Sequence, residues 1–397
     1  MKCDTSILKL AQTMKRFVFV FVLLVACLVA CQHQGSQDVG FEHVYIHPEK
    51  VEPVQFKQLF KDYRIVPLET NDSMLVNAIY NVLVYEDRIF LLDRQGQSVL
   101  IFSDKGQARA LIHNQGNGPQ EYVSLFSFAL NPFDRSLHLF DDQARKEHVY
   151  DWEGHWQSVR PAPYKVTDVL YLDHDRNIKS RLITDIAGGY IMNCYQQDTV
   201  VTAQYHPFEY ENGATVNYLE YPFSHDGEEV YTHIVFNDTI YRYQFDQPKG
   251  GYVVHLDHPI PQELRELPQR TRCESVYLYL RDHQQTAHSA YLCQVNSHSQ
   301  CISYIYGKES HFYIRRQGEP EPLQYKGPYL GKLCIQEILY GSLAHNGLFC
   351  YIIEPYKYHE LSDADKQEIR SVDPALFDTL EKTSTESNPV LLIGSLS

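Results

Sequence analysis

The feature of this 397-residue chain that most narrows its possible folds is an internal repeat. Asp87-Arg88-Ile89-Phe90-Leu91-Leu92-Asp93 is echoed by Asp134-Arg135-Ser136-Leu137-His138-Leu139-Phe140-Asp141, with Ile89 to Asp93 repeating at an offset of 48 residues. Ile89, Leu91 and Leu92 meet Leu137, Leu139 and Phe140, and the register continues through Ile101/Val149, Phe102/Tyr150 and Gly106/Gly154. Each unit reads as a strand ending in Asp, a turn, a second strand ending in an aromatic residue, and a tight turn closed by Gly (Asp104-Lys105-Gly106; Trp152-Glu153-Gly154). Short apolar runs between Asp/Gly turns are hairpin signals. A period in the forties with several strands per unit marks a propeller blade.

Weaker echoes of the unit start near 188, 236, 302 and 347, so six units are expected. The long interval from 236 to 302 predicts an insertion, with Pro259-Ile260-Pro261 and the polar run to Ser289 as loop or lid. Helix-capping chemistry at Ser362 and at Asp373-Pro374, followed by Ile369, Val372, Leu376 and Leu380 on one face, predicts a short helical insertion near the C-terminus. The final apolar run Val390-Leu391-Leu392-Ile393 is expected to pair with the early strand Tyr63–Leu68 and close the ring. An excess of strand-forming aromatics, 30 Tyr and 19 Phe against 4 Met, agrees with an all-β reading. The expected fold is an all-β, six-bladed β-propeller spanning residues 54–397.

The N-terminus reads as an export signal. Lys15-Arg16 precedes the apolar run 17–30, which is shorter than the ~20 residues a spanning helix needs. Leu28-Val29-Ala30-Cys31 ends the run and turns at once into Gln32-His33-Gln34. This resembles a bacterial lipobox, with Cys31 the lipidated residue of the mature chain; Leu24-Val25-Ala26-Cys27 fits the pattern too, but cleavage there leaves Leu28-Val29-Ala30 exposed. Met14 reads as the natural start. Residues 1–30 are then a lipoprotein signal peptide, and 31–53 a polar tether.

The chain carries a net charge of −15, and −18 once the four basic and one acidic residues of 1–30 are removed. With no basic stripe in the body, nucleic acid is excluded as a partner. Six Cys follow Cys31. In an exported body Cys293 with Cys301, and Cys334 with Cys350, are candidate hairpin disulfides; buried thiols are the other reading.

Catalytic signatures are sparse. No Gly-x-Ser-x-Gly elbow, His-Glu-x2-His or Cys-x2-Cys occurs among the 19 His and 9 Cys. Gly116-Asn117-Gly118-Pro119-Gln120-Glu121-Tyr122 lacks the Lys-Ser/Thr of a phosphate loop. It reads as a shaped turn between blades, and Gly116, Gly118, Pro119, Glu121 and Tyr122 form the candidate loop for a ligand. The histidines are scattered and outline no complete zinc site. No cofactor is expected; calcium in the central channel is the minor alternative, since propeller axes gather oxygen ligands. Trp152, Trp156 and surface Tyr are candidates for stacking on sugar rings.

Several segments together carry a family resemblance: Tyr63-Arg64-Ile65-Val66-Pro67-Leu68-Glu69-Thr70, the Gly116–Tyr122 loop, Phe236-Asn237-Asp238-Thr239-Ile240-Tyr241, and Asn388-Pro389-Val390-Leu391. In this order they resemble the Bacteroidetes-type six-bladed β-propeller lipoproteins, NHL-related and without an assigned activity, over about residues 45–395. Gln120 departs from the Gly usual in that family's loop. The resemblance implies the fold and a lipid-anchored outer-membrane location, with the periplasmic face favoured by the lack of an acidic run after Cys31, and it implies no chemistry.

The functional expectation is therefore a non-catalytic propeller lipoprotein that binds a glycan, peptide or protein partner. The alternative is a metal-dependent hydrolase or lyase of the six-bladed NHL/lactonase type. Carboxylates converging on the channel mouth with a nearby His point to the enzyme, and an aromatic mouth without them points to binding. Mass spectrometry of the mature N-terminal peptide should find lipid on Cys31. A Cys31→Ser protein that still fractionates wholly with membranes contradicts the anchor.

Overall fold

In the computed structural model the described residues are 40–396, apart from 61, 183–188, 209–222, 235, 268, 296–297, 336–338 and 346, with backbone alone for 269–273, 289–293 and 339–345. Cys31 and the expected export signal lie outside them. The body from Phe41 onward forms six sheets, each built on an antiparallel meander. Blade 1 holds strands Ile79–Tyr85, Arg88–Asp93, Ser98–Ser103 and Ala108–Ile112, and blade 2 holds Leu125–Asn131, Ser136–Asp141, Lys146–Asp151 and Trp156–Pro161. Blade 3 runs from Val166–Tyr171 through Arg176–Arg181 and Gly189–Gln196 to Val200–Phe208. Blade 4 begins with Phe223–Asp226, blade 5 with His288–Val295 and blade 6 with Leu339–His345. The expected six-bladed propeller is the fold.

The signature of the repeat has a physical reason. Asp93 and Asp141 end the second strands of blades 1 and 2. The Asp93 carboxylate accepts from the Gly96 N–H at 2.7 Å in its own turn and from the Asn77 N–H at 2.8 Å in the incoming linker. Asp141 does the same with Ala144 at 2.8 Å and Val123 at 2.6 Å. One buried carboxylate thus holds two backbone segments together. Gly106 sits at φ +81°, where a Cβ would lie 2.2 Å from the Pro67 carbonyl oxygen, so this turn requires glycine.

In blades 3 and 4 the echoes at 188 and 236 mark third strands, Gly189–Gln196 and Thr239–Gln244. Their second strands are Arg176–Arg181 and Glu229–His233, neither of which ends in Asp. The excursion between blades 4 and 5 is helical rather than a loop, with helices Gln262–Arg265 and Gln269–Asp282. Val276 is its buried anchor, packed with Phe236, Phe208 and Ile260. The expected C-terminal helices are present as Asp363–Val372 and Pro374–Leu380, capped by Ser362 and Asp373. They bury Ile369, Leu376 and Leu380 against Phe56, Phe60 and Tyr351.

Residues 41–53 belong to the body and not to a tether. Phe41–Ile46 adds a parallel fifth strand to the outer edge of blade 4, and Glu52–Gln55 adds one to blade 5. Val44, Ile46 and Val54 are their buried anchors, too few to read as strands in the sequence.

Closure is as expected. Val390, Leu391, Leu392 and Ile393 pair antiparallel with Pro67, Val66, Ile65 and Arg64. The sheet of blade 6 therefore takes three strands from the end of the chain and its outermost one from the beginning. Asn388 locks the seam: its Nδ2 donates to the carbonyls of Glu69 at 2.7 Å and Met74 at 2.6 Å, and its Oδ1 accepts from Val76 N–H at 2.9 Å. Val390, Leu391 and Leu392 have no exposed surface. Each such side chain contributes about 1.5–3 kcal/mol, and several together rival the roughly 5–15 kcal/mol stability of a domain. Truncation after Thr385 should abolish cooperative unfolding altogether. A truncated protein melting within a degree or two of the full chain in calorimetry contradicts this closure.

Candidate functional site

The two faces of the ring are unlike each other. The long connections, including both helical insertions, leave from the face where the innermost strands begin. The opposite face carries short hairpins such as Glu86-Asp87 and Gly227-Glu228, and the channel opens there uncovered by any helix among the described residues.

The Gly116–Tyr122 loop lies on the long-connection side, between blades 1 and 2. The Tyr122 hydroxyl is buried, donating to the Gln97 carbonyl at 2.7 Å and accepting from Asn114 N–H at 3.1 Å. Glu121 accepts from Gly118 N–H at 2.7 Å, and a Cβ on Gly116 would meet that carboxylate at 2.0 Å. Pro119 is exposed at the tip. Gly116, Gly118, Glu121 and Tyr122 are occupied in shaping a corner and do not meet at the open channel mouth.

That mouth is a cavity of about 360 Å³ to which every blade contributes. Tyr85, Phe133, Tyr171, His225, Gln294 and Gly347 come from blades 1 to 6 in turn, joined by aliphatic Leu130, Val169 and Leu170. No Asp, Glu, Lys or Arg lines it among the described residues. Among its lining side chains, the Tyr171 hydroxyl and His225 Nδ1 are buried and have no hydrogen-bond partner. Gln294 Oε1 accepts from Gly347 N–H at 3.1 Å. An apolar cavity with a few unspent polar groups is the usual form of a ligand site. Sequence reading missed these residues because each lies in a different blade.

Charge is concentrated beside the mouth, not in it. Between blades 2 and 3, Glu147 takes two bonds from Arg160 at 2.7 and 2.9 Å and one contact from His138 at 2.6 Å. Asp198 pairs with both Arg160 and Lys179. Burial works to raise the pKa of Glu147, but the bonds from His138 and Arg160 outweigh it and hold the carboxyl at about 2. The network is internally balanced and faces Tyr171, whose ring packs on His138 at 5.4 Å.

The other candidates resolve into structure. Trp152 is core, packed between Tyr85 and Phe90, so it is unavailable for sugar stacking; Trp156 is partly buried. Cys350 is a free buried thiol, so Cys334 and Cys350 form no disulfide. Cys293 lies opposite Ile302, and Cys301 opposite Gln294, so the two are not direct cross-strand partners. Among the described residues no three His, Cys, Asp or Glu come together as a metal site. No described helix is long and apolar enough to cross a membrane.

With the geometry described, comparison with other proteins adds a family. Residues 43–395 match the family described as Domain of unknown function (DUF4934). The chain belongs to the DUF4934 family. No curated protein matches its sequence. A Bacteroides fragilis NCTC 9343 structure that carries the name of an exported protein is similar at TM-score 0.69 and 15% identity, covering 89% of this chain and 99% of the other. A DUF4221-family structure from Bacteroides vulgatus ATCC 8482 reaches TM-score 0.49 at 8% identity, over 85% and 97% of the two chains. At these identities the likeness is one of fold.

The channel of this DUF4934 protein has an acid-poor interior. The six innermost strands carry two carboxylates, Asp168 and Asp226. Asp168 follows a β-bulge that also occurs before Asn81 in blade 1 and Ser127 in blade 2. These three residues are buried, with the Asn81 Oδ1 unpartnered. Burial pushes the Asp168 carboxyl up to about 7, against a single bond from Val169 N–H at 2.8 Å. The unfolded chain ionises near pH ~4 while the folded chain holds its proton to about 7. Stability is therefore fully present below pH ~4 and falls as pH rises through the folded value. Asp168→Asn should match the wild type in urea melts at pH 4 and exceed it at pH 8. A difference that does not change with pH contradicts the buried acid.

Proposed function

We propose that this protein is a non-catalytic binding lipoprotein, exported, anchored by Cys31 to the periplasmic face of the outer membrane, and that the open channel mouth is its ligand site. The observation that carries the reading is the mouth itself: six blades converge on one aromatic and aliphatic cavity with no Asp, Glu, Lys or Arg among its described residues. Such a cavity favours an uncharged ligand, because an ion entering it loses hydration with no partner to replace it. The anionic body adds long-range repulsion of other anions.

The hydrolase alternative is the weaker one. A channel calcium takes six to eight oxygen ligands, and the innermost strands offer two carboxylates. Export is supported by the leader segment and by the exported name of the Bacteroides fragilis relative.

Thermal-shift screening of the mature body against neutral saccharides, peptides and lactones tests the reading. A binder should raise the melting temperature without being consumed, and Phe133→Ala should weaken it at least tenfold. Phe133 is 38% exposed, so its loss leaves the fold intact. Binding that ignores Phe133, or turnover of a lactone, contradicts the proposal.

A further inference from the structure

A second cavity opens on the same face. It measures about 340 Å³, lies between blades 4 and 5, and shares Val295 with the channel mouth. Its charges are spent on each other: Arg315 pairs with Glu42 at 3.1 Å and Arg316 with Glu319 at 3.7 Å. Neutral hydrogen-bonding groups and tyrosine rings remain. Tyr231 and Tyr252 stack with centroids 6.2 Å apart and 18° between planes. Gln300 lines the cavity, is 5% exposed, and has no hydrogen-bond partner for either its amide nitrogen or its amide oxygen.

Resting on the channel mouth as the ligand site, we propose that this cleft is its second subsite and that the ligand is a neutral oligosaccharide long enough to occupy both. The chemistry of the two cavities is the same in kind. Each offers aromatic faces, a glutamine and no unpaired formal charge. A carboxamide presents a donor and an acceptor side by side, the pair that vicinal hydroxyls of a sugar require. Aromatic rings supply flat apolar surface to the C–H face of a pyranose. A buried amide unpaired at both ends is costly in a finished core, and a ligand in the cleft toward which it turns recovers that cost. A charged peptide finds no unpaired Asp, Glu, Lys or Arg among the described residues of either cavity. Two sites sharing a wall also favour a chain over a monomer, since the second contact becomes intramolecular.

Calorimetric titration of the mature body with neutral gluco-, xylo- and manno-oligosaccharides of one to six units tests this. Affinity in one series should rise at least tenfold with length and then level off. Gln300→Leu keeps the side-chain volume and removes the unpaired amide, so its melting temperature should hold or rise while the gain with length disappears. Tyr252→Ala should remove the same gain, and Phe133→Ala should weaken every length. An affinity independent of length, or a gain that survives both Gln300→Leu and Tyr252→Ala, overturns the second subsite. Binding of peptides but not saccharides, still sensitive to Phe133, overturns the oligosaccharide while the mouth remains the ligand site. Saccharide binding insensitive to Phe133 overturns both.

Discussion

The ring depends on a single backbone pairing. Five of its sheets are hairpin meanders that fold from contiguous sequence, and two of these gain a parallel edge strand from residues 41–55. Blade 6 alone is assembled from both ends of the chain, by the ladder between Arg64–Pro67 and Val390–Ile393. Without it, blade 6 loses its outer strand, and the segment leading into blade 1 loses the bonds from Asn388. The buried surface on both sides of the seam would open to water. The central cavity exists because the seam holds, since its lining residues are far apart in sequence and meet only in a closed ring.

The legibility of this architecture followed the chemistry of its turns. Blades 1 and 2 were visible because Asp93 and Asp141 perform the same task at the same spacing, and Gly106 and Gly154 adopt the same positive φ. Blades 3 and 4 use other residues to leave their second strands, so their echoes landed one strand late. The helix Gln269–Asp282 was read as loop because its face is held by Val276 amid polar text, with no Ser, Thr, Asp or Asn cap before it to announce it. The strands at 41–55 were hidden for a related reason: a parallel edge strand needs few buried side chains, and its stability comes from main-chain bonds that leave no mark on residue type. The candidate loop at Gly116–Tyr122 stood out because its geometry is demanding, and that demand is structural. The mouth left no sequence signal, since Tyr85, Phe133, Tyr171, His225 and Gln294 are unremarkable singly.

Charge is arranged so that the open face stays neutral where it is concave. The chain is strongly anionic, yet the Glu147–Arg160–Asp198–Lys179 network closes on itself between blades, and the arginines of the second cavity are matched by Glu42 and Glu319. Among the described residues, what remains in the concave surfaces is aromatic, aliphatic, imidazole, hydroxyl and carboxamide. Buried networks of this kind fix geometry more than they add stability, and here they tie blade 2 to blade 3.

The most direct test of the account is native-state hydrogen exchange across the seam. The account predicts that hydrogen-bonded amides of Arg64–Pro67 and Val390–Ile393 exchange only through global unfolding, with the same free energy and denaturant dependence as the core strand Ser98–Ser103 of blade 1. Exchange of the seam by local opening, at a free energy well below that of blade 1, would show that the ring stands without its closure and would contradict it.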